Sequence, residues 1–195
     1  MKILHVNEHS TVKGGAEAYL LDAIQRLEDR GHTCHLAYAK DAPDFKLSSI
    51  KLPSIGQVIA ENLNNDIASL QRFVKRNDPD LIHIHGTWNL EIIKACLDLR
   101  PCLMTSHDYR WLCPDSKFYW KRPQCTCWRT PGWACAAITL KNKCLTLRPN
   151  LIIRNIQRIK KITQLFPQIQ AVVTPSQYVA DRFDKASYPS SKTHV

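Results

Sequence analysis

The sequence changes from strand character to helix character near its N-terminus, and this change restricts the folds open to the chain. The opening segment KILHV is a short apolar run with β-branched residues, which is typical of a buried strand. A polar loop follows it and ends with Gly14-Gly15. From Ala16 to Leu27 the apolar residues recur every three or four positions, which predicts an amphipathic helix terminated by Gly31. A strand, a glycine loop and a helix in this order predict the start of an open α/β sheet.

Strands and helices are predicted to alternate along most of the remaining chain. Strand-like runs at TCHLAYA, DLIHIH, CLMTS and AVVT are separated by segments of helical period. This alternation predicts a Rossmann-like parallel sheet with helices on both faces, whose ligands collect at the carboxyl ends of the strands. Three pairs of residues each follow a predicted strand and are expected at that edge: Gly14-Gly15, His85-Gly86 and His107-Asp108.

The composition is that of a globular protein with excess positive charge. Hydrophobic residues make up 44% and charged residues 23%, and the formal net charge is +10. That charge indicates an anionic partner, such as a membrane surface, nucleic acid or a phosphorylated substrate. No signal-peptide core follows Met1, and no segment approaches the ~18 apolar residues of a membrane span. We therefore expect a cytoplasmic protein whose thiols are reduced or bind metal.

Four segments resemble the N-terminal domain of glycosyltransferase family 4, whose members are retaining sugar transferases of the GT-B fold. They are KILHVN…GGAEAYLLDAIQRLEDRGH, PDLIHIHG, TSHDYRWLCP and VVTPSQYVADRF. In that family two Rossmann-like domains face each other across a cleft. The N-terminal domain mainly holds the acceptor, and the C-terminal domain holds the nucleotide-sugar donor. The resemblance implies that residues 1–195 are one such N-terminal domain, interrupted by an irregular insertion at 109–149. We expect the donor-binding domain to be absent from this chain.

The resemblance also assigns roles to individual residues. Gly14-Gly15 matches the family's glycine loop near the donor phosphates and the acceptor, and His107 matches the histidine that faces the reacting sugar. Beside them, Asp108 and Glu17 are candidates for substrate binding. The family requires no divalent metal for catalysis. From the residues alone, Gly14-Gly15 also suits a tight turn that binds nothing, Glu17 suits the helix dipole, and His107 suits a structural role.

The segment 109–149 lacks a sustained period and contains four of the five tryptophans. It also holds five of the eight cysteines, namely Cys113, Cys125, Cys127, Cys135 and Cys144. Four thiolates can hold zinc tetrahedrally and so clamp a segment that lacks regular structure. The Cys-x-Cys spacing is not the commoner Cys-x-x-Cys, so a structural zinc site and ordinary reduced thiols both remain open.

Basic residues and aromatic residues are interleaved in the same segment. Eight Lys or Arg lie between His107 and Asn150, and the basic run continues at Arg154, Arg158, Lys160 and Lys161. Aromatic residues beside cations suit a membrane interface or a lipid-phosphate-linked acceptor. The same composition also suits nucleic acid, or a solvated basic face over a small aromatic core.

The resemblance implies that the chain is the acceptor-side domain of a retaining glycosyltransferase of hexosyltransferase type. It would transfer a sugar from a nucleotide-sugar donor to a polysaccharide or glycolipid precursor. We expect it to be cytoplasmic or peripheral at the inner membrane face, to have no nucleic-acid partner, and to be inactive alone. The alternative is a non-catalytic binding module that uses the basic cysteine-rich insertion to hold nucleic acid or a protein partner.

Overall fold

The computed structural model describes residues 1–43, 46–144 and 148–195. Within them the strands are β1 (Lys2–His9), β2 (Thr33–Lys40), β3 (Ser48–Lys51), β4 (Leu81–Ile84), β5 (Cys102–Thr105), β6 (Tyr119–Trp120), β7 (Cys125–Thr126), β8 (Ile169–Val173) and β9 (Thr193–His194). The α-helices are α1 (Gly15–Asp29), α2 (Leu63–Asn77), α3 (Leu90–Leu99), α4 (Ala134–Asn142), α5 (Pro149–Thr163) and α6 (Gln177–Lys185). The predicted insertion at 109–149 includes residues 145–147, which lie outside the described residues.

Seven of the strands form one sheet in the order β3-β2-β1-β4-β5-β8-β9. β1 pairs in parallel with β2 on one side and with β4 on the other, so that Ile3 lies opposite both Cys34 and Leu81. α1 lies between β1 and β2, α2 between β3 and β4, α3 between β4 and β5, and α6 between β8 and β9. Such crossovers allow neighbouring strands to run in parallel. The predicted α/β, Rossmann-like fold class is confirmed.

The chain divides into two compact units. The first comprises Met1–Thr105 and Gln168–Ala171, and the second comprises Ser106–Pro167 and Val172–Val195. The core of the first unit is aliphatic, and its fully buried side chains include Leu4, Leu20, Leu36, Leu70 and Ile82. The core of the second unit combines aliphatic with aromatic side chains, and its largest fully buried side chains are Trp111, Phe166, Phe183 and Tyr188.

The predicted apolar stripe of α5 faces the core of the second unit. Ile152, Ile156, Ile159 and Ile162 are all buried, as their three- and four-residue spacing predicts. Phe166 follows the helix and packs against Phe183 and Tyr188, with ring centroids 5.6 and 5.7 Å away. The helical period therefore identified both this element and its buried face.

The hydrogen bonds at two helix ends show whether the predicted residues cap them. The Asn89 side chain accepts hydrogen bonds from the backbone N–H groups of Glu91 and Ile92, at 3.0 and 3.3 Å, so it caps α3 as predicted. Ser176 occupies the equivalent position before α6, but its side chain makes no capping hydrogen bond. Beyond α1, Gly31 adopts the predicted left-handed conformation with φ of 81°.

The described helices include none with the length and apolar character needed to cross a bilayer.

A buried histidine lies inside the sheet of the first unit. His5 on β1 is 0% exposed, and its Nδ1 lies 3.0 Å from Nε2 of His85. Its ring centroid is 5.4 Å from that of His83. Burial, and next the charges of His83 and His35, lower the pKa of His5 to about 3. The folded protein therefore holds His5 neutral.

We predict that the first unit loses stability as the pH falls below neutral. Unfolding returns His5 to its ordinary pKa of 6.5, so the unfolded chain binds a proton that the folded chain excludes down to about pH 3. The free energy of unfolding should fall through this window by an amount on the order of a few kcal/mol. Urea denaturation at several pH values measures it. His5→Asn should flatten the dependence, whereas His194→Asn, at an exposed position, should not. Equal slopes for the two variants would contradict the assignment to His5.

Candidate functional site

The glycine pair lies at the N-terminus of α1, just beyond the carboxyl end of β1. Gly14 has φ of −168°, an extended conformation that any residue adopts, and Gly15 begins the helix. A Cβ atom built on Gly15 would meet no other part of the described chain within 4 Å. One built on Gly14 would meet only Glu17 Oε2, at an ordinary 3.7 Å. The fold itself therefore requires glycine at neither position, which argues against the tight-turn interpretation.

Glu17 lies in the first turn of α1 and is half-buried. Its carboxylate turns back toward Gly14, where the backbone N–H groups of the helix end are directed. Gly14 has no side chain to cap these groups. Gly14, Gly15 and Glu17 are thus brought together at one helix end, and contact between Glu17 and a substrate stays a prediction.

The carboxyl end of β1 carries a polar group that the sequence analysis missed. We predicted that the strand ends at Val6, but it continues to His9. Glu8 accepts hydrogen bonds from Lys40 Nζ at 2.6 Å and from Trp88 Nε1 at 3.2 Å. His9, which the sequence placed in a loop, lies 2.9 Å from the carboxylate of Asp41. Glu8 thus links the end of β1 to Lys40 at the end of β2 and to Trp88 after β4.

A cluster of imidazoles lies beside this edge. The ligand atoms of His5, His83 and His85 lie within 4.8 Å of one another, and no other group of three or more His, Cys, Asp or Glu in the described ranges does so. Such a group suits a transition metal. However, His5 and His85 are bonded to each other, and His83 Nε2 lies 2.8 Å from Thr105 Oγ1. These bonds explain the cluster as a polar network inside the sheet. The Tyr19 ring lies 6.2 Å from His85 and is 43% exposed.

In the second unit, His107 and Asp108 lie in the bend directly after β5, and both are half-buried. Asp108 accepts hydrogen bonds from Arg110, with Nε 3.0 Å from both oxygens and Nη2 2.8 Å from Oδ2. The backbone N–H of Arg110 adds a bond of 2.7 Å to Oδ1. The Asp108 carboxylate therefore fixes the turn that carries His107. The roles predicted for His107 and Asp108 in catalysis and binding remain predictions.

Four of the five predicted cysteine ligands surround one cavity in the second unit. Its volume is about 30 Å³, and its lining includes Cys113, Cys127, Cys135 and Cys144. Cys125 lies in β7 and is not part of that lining. All eight cysteines lie in the described ranges, and none forms a disulfide.

Backbone groups surround two of these sulfurs. Burial raises the pKa of the Cys113 thiol, and the backbone N–H groups of Phe118, Asp115 and Lys117 act in the opposite direction. Burial likewise raises the pKa of Cys135, where the backbone of Gly132 opposes it. Hydrogen-bond donors directed at sulfur stabilise its anionic form.

Some of the basic residues predicted to lie on the surface are buried. Arg158 on α5 is only 6% exposed, so the prediction that it extends a basic surface is wrong. Burial, and next the charge of Arg110, lower its pKa to about 10. Arg182 is equally buried, with its guanidinium 4.8 Å from the Phe118 ring and 4.9 Å from the Tyr178 ring. Amphipathic spacing places these two arginines on the buried faces of their helices, which charge counting does not reveal.

Comparison with known proteins gives one family match for the sequence and several solved structures of similar fold. The sequence model of Glycosyltransferase Family 4 matches residues 13–195. The structure of HepE (Alr3699) of Anabaena in complex with UDP is 15% identical in sequence and has a TM-score of 0.54. The match covers 100% of this chain and 43% of the HepE chain. The apo lipopolysaccharide outer core galactosyltransferase WaaB is 8% identical with a TM-score of 0.53, covering 100% and 45%. Apo UGT2 of Phytolacca americana is 11% identical with a TM-score of 0.52, covering 100% and 51%. No curated protein sequence matches the chain.

The chain thus spans about half of the length of these solved structures, or less. At such low identities the structural likeness supports the fold alone. The family match is independent of it and leaves out only the first twelve residues. Because this match covers far more than half of the sequence, the chain belongs to glycosyltransferase family 4 and has the Rossmann-like fold of an N-terminal GT-B domain.

Proposed function

We propose that this chain is the acceptor-side half of a retaining sugar transferase that uses a nucleotide-sugar donor. Its acceptor would be a polysaccharide or glycolipid precursor. The observation that carries the proposal is the open glycine pair at the N-terminus of α1. Neither backbone conformation nor space within the chain requires glycine at Gly14 or Gly15. A ligand that approaches the backbone closely gives a physical reason for both.

Electrostatics favours an anionic or hydroxyl-rich ligand at this position. The first N–H groups of α1 have no partners within their helix, and the helix dipole adds positive potential there. A diphosphate leaving group develops negative charge as the sugar bond breaks, and donors fixed in place stabilise that charge. The Anabaena HepE structure contains UDP, which is consistent with a nucleotide-sugar donor for a family 4 enzyme.

His107 is proposed to face the reacting sugar, following its match to the family motif. The hydrogen bonds between Asp108 and Arg110 hold the turn that carries it. A histidine fixed after a strand end can donate or accept a hydrogen bond at a sugar hydroxyl. Asp108, whose carboxylate bonds to Arg110, is proposed to bind substrate beside His107.

Exposed apolar residues in the second unit support contact with a membrane that carries the acceptor. Trp128 is 62% exposed, Trp133 is 52% exposed and Leu140 is 68% exposed. Exposed Lys160 lies 5.4 Å from the Trp133 ring, so a cation accompanies the aromatic surface. Tryptophan and lysine together are favoured at the boundary between lipid and water. A peripheral location at the inner membrane face is therefore part of the proposal.

We predict that residues 1–195 alone transfer no sugar, because they span only about half of the length of the solved structures that they resemble, or less. Fusion to the C-terminal domain of a two-domain family 4 enzyme should restore transfer. The measurement is incorporation of labelled sugar from a panel of UDP-sugars into lipid or polysaccharide acceptors. The fusion partner without this chain is the control. Robust transfer by the isolated chain would contradict the half-site proposal.

The substitution Gly15→Ala tests whether the glycine pair contacts a ligand or is needed only for the fold. Alanine in the first turn of α1 should leave the free energy of unfolding unchanged or raise it by roughly 0.5–1 kcal/mol. In the active fusion it should lower kcat/KM by about 10- to 100-fold, because a methyl group obstructs the ligand. Gly132→Ala is the matched control, since a Cβ there also meets nothing within 4 Å among the described residues. Full activity of Gly15→Ala would remove the central support for the proposal.

His107→Ala should reduce turnover far more than stability. Loss of a hydrogen-bonding group at the reacting centre should lower kcat of the fusion by about 100-fold. The melting temperature should fall by only a few degrees, because the side chain is half-buried. His194→Ala, at an exposed position, is the control. A large loss of stability with unchanged activity per folded molecule would show that His107 is structural.

A further inference from the structure

Four cysteines that are scattered in sequence meet at the cavity of the second unit. Cys113 lies in the turns after β5, Cys127 follows β7, Cys135 is in the first turn of α4, and Cys144 follows the end of α4. Each comes from a different local structure, and all four line the same cavity. Four soft sulfur ligands around one centre are the usual donor set of a structural zinc site.

The cavity has room for at least one ion. Its volume of about 30 Å³ exceeds the roughly 10–15 Å³ that one water molecule needs. Four cysteine thiolates are the usual ligands of a structural zinc ion. Four cysteines also hold iron–sulfur clusters, and analysis for metal and sulfide distinguishes the two.

The segment around the cavity carries an excess of positive charge. Zn²⁺ with four thiolates has a net charge of about −2. Between His107 and Asn150 there are eight Lys or Arg and only two acidic residues, Asp108 and Asp115. Arg129 and Asp115 both line the cavity. The excess of cations in the segment offsets the negative charge of such a centre.

The segment around the cavity has little regular structure of its own. Between Tyr109 and Cys144 the described elements are two strands of two residues each and one helix of nine residues. Short segments with few periodic apolar residues are often held by a metal or by disulfides. Four thiols of this segment line one cavity, so a metal ion bound by them would cross-link the segment.

We propose that Cys113, Cys127, Cys135 and Cys144 bind one structural zinc ion and that Cys125 does not. On binding, each thiol releases its proton to solvent and forms a bond to zinc, which remains Zn²⁺ throughout. Among the described residues no three cysteine sulfurs lie within 4.8 Å of one another. Tetrahedral bonds of about 2.3 Å separate such sulfurs by about 3.8 Å. Zinc therefore draws the sulfurs inward, and Cys127 and Cys144, which lie outside regular elements, move most.

The test compares single serine variants of the full chain. The purified wild type and Cys125→Ser should each carry about one zinc per chain, measured by elemental analysis. Cys113→Ser, Cys127→Ser, Cys135→Ser and Cys144→Ser should each lose it. Cys125→Ser is a matched control because Cys125 lies only two positions from Cys127 but outside the cavity lining. Loss of zinc in Cys125→Ser equal to that in Cys135→Ser would overturn the assignment.

A second measurement avoids variants that fail to fold. Metal-free wild type and Cys125→Ser are titrated with Co²⁺, whose visible and charge-transfer bands report the number of thiolate ligands. Both should show the spectrum of four thiolates at one equivalent, with a change in fluorescence because Trp120 lines the cavity. Chelation should raise protease cleavage within 109–149 before cleavage elsewhere. Iron with sulfide in place of zinc, disulfides among the four cysteines, or no cobalt–thiolate bands would each overturn the proposal.

Discussion

The pairing of β1 with two parallel neighbours is the interaction on which the first unit depends. Its register sets Val6 opposite Ala37 of β2 and Ile84 of β4, so the three strands point their carboxyl ends the same way. Parallel strands cannot be joined by hairpins, and α1 and α2 provide the longer connections. This arrangement fixes where chemistry can occur. The glycine pair, Glu8 and His85 all follow from it, because each lies near the carboxyl end of β1 or β4.

Several helices were predictable because their apolar residues recur at a regular spacing and a capping residue or glycine marks an end. The buried isoleucines of α5, the cap at Asn89 and the left-handed Gly31 all follow from local sequence. The end of β1 was not predictable in this way, since Asn7, Glu8 and His9 are polar. Pairing with β2 keeps them in the strand, with Asn7 opposite Tyr38 and His9 opposite Lys40. Lys40 at the end of β2 bonds to Glu8, and Asp41 bonds to His9.

The residues of the candidate site also divide into those that the local sequence indicates and those whose contacts are distant in the sequence. Gly14 and Gly15 were evident from the sequence, because a glycine pair before an amphipathic helix has a local meaning. The bond between His5 and His85, and that between Glu8 and Trp88, each join residues that are 80 positions apart. No local pattern indicates such contacts. They depend on the register between β1 and β4, which is known only once the sheet is formed.

Net charge was the least reliable predictor of a binding surface, because a count of charged residues does not distinguish exposed cations from buried ones. Arg158 and Arg182 are each 6% exposed, and the Arg182 guanidinium lies 4.8 and 4.9 Å from the ring centroids of Phe118 and Tyr178. Part of the basic and aromatic pattern is therefore internal packing in which ring faces stabilise desolvated cations. The part that remains for an outside partner includes Trp128 and Trp133, which stay more than half exposed. A membrane or acceptor surface that recognises this unit would therefore meet these rings and the cations beside them, rather than the full formal charge of +10.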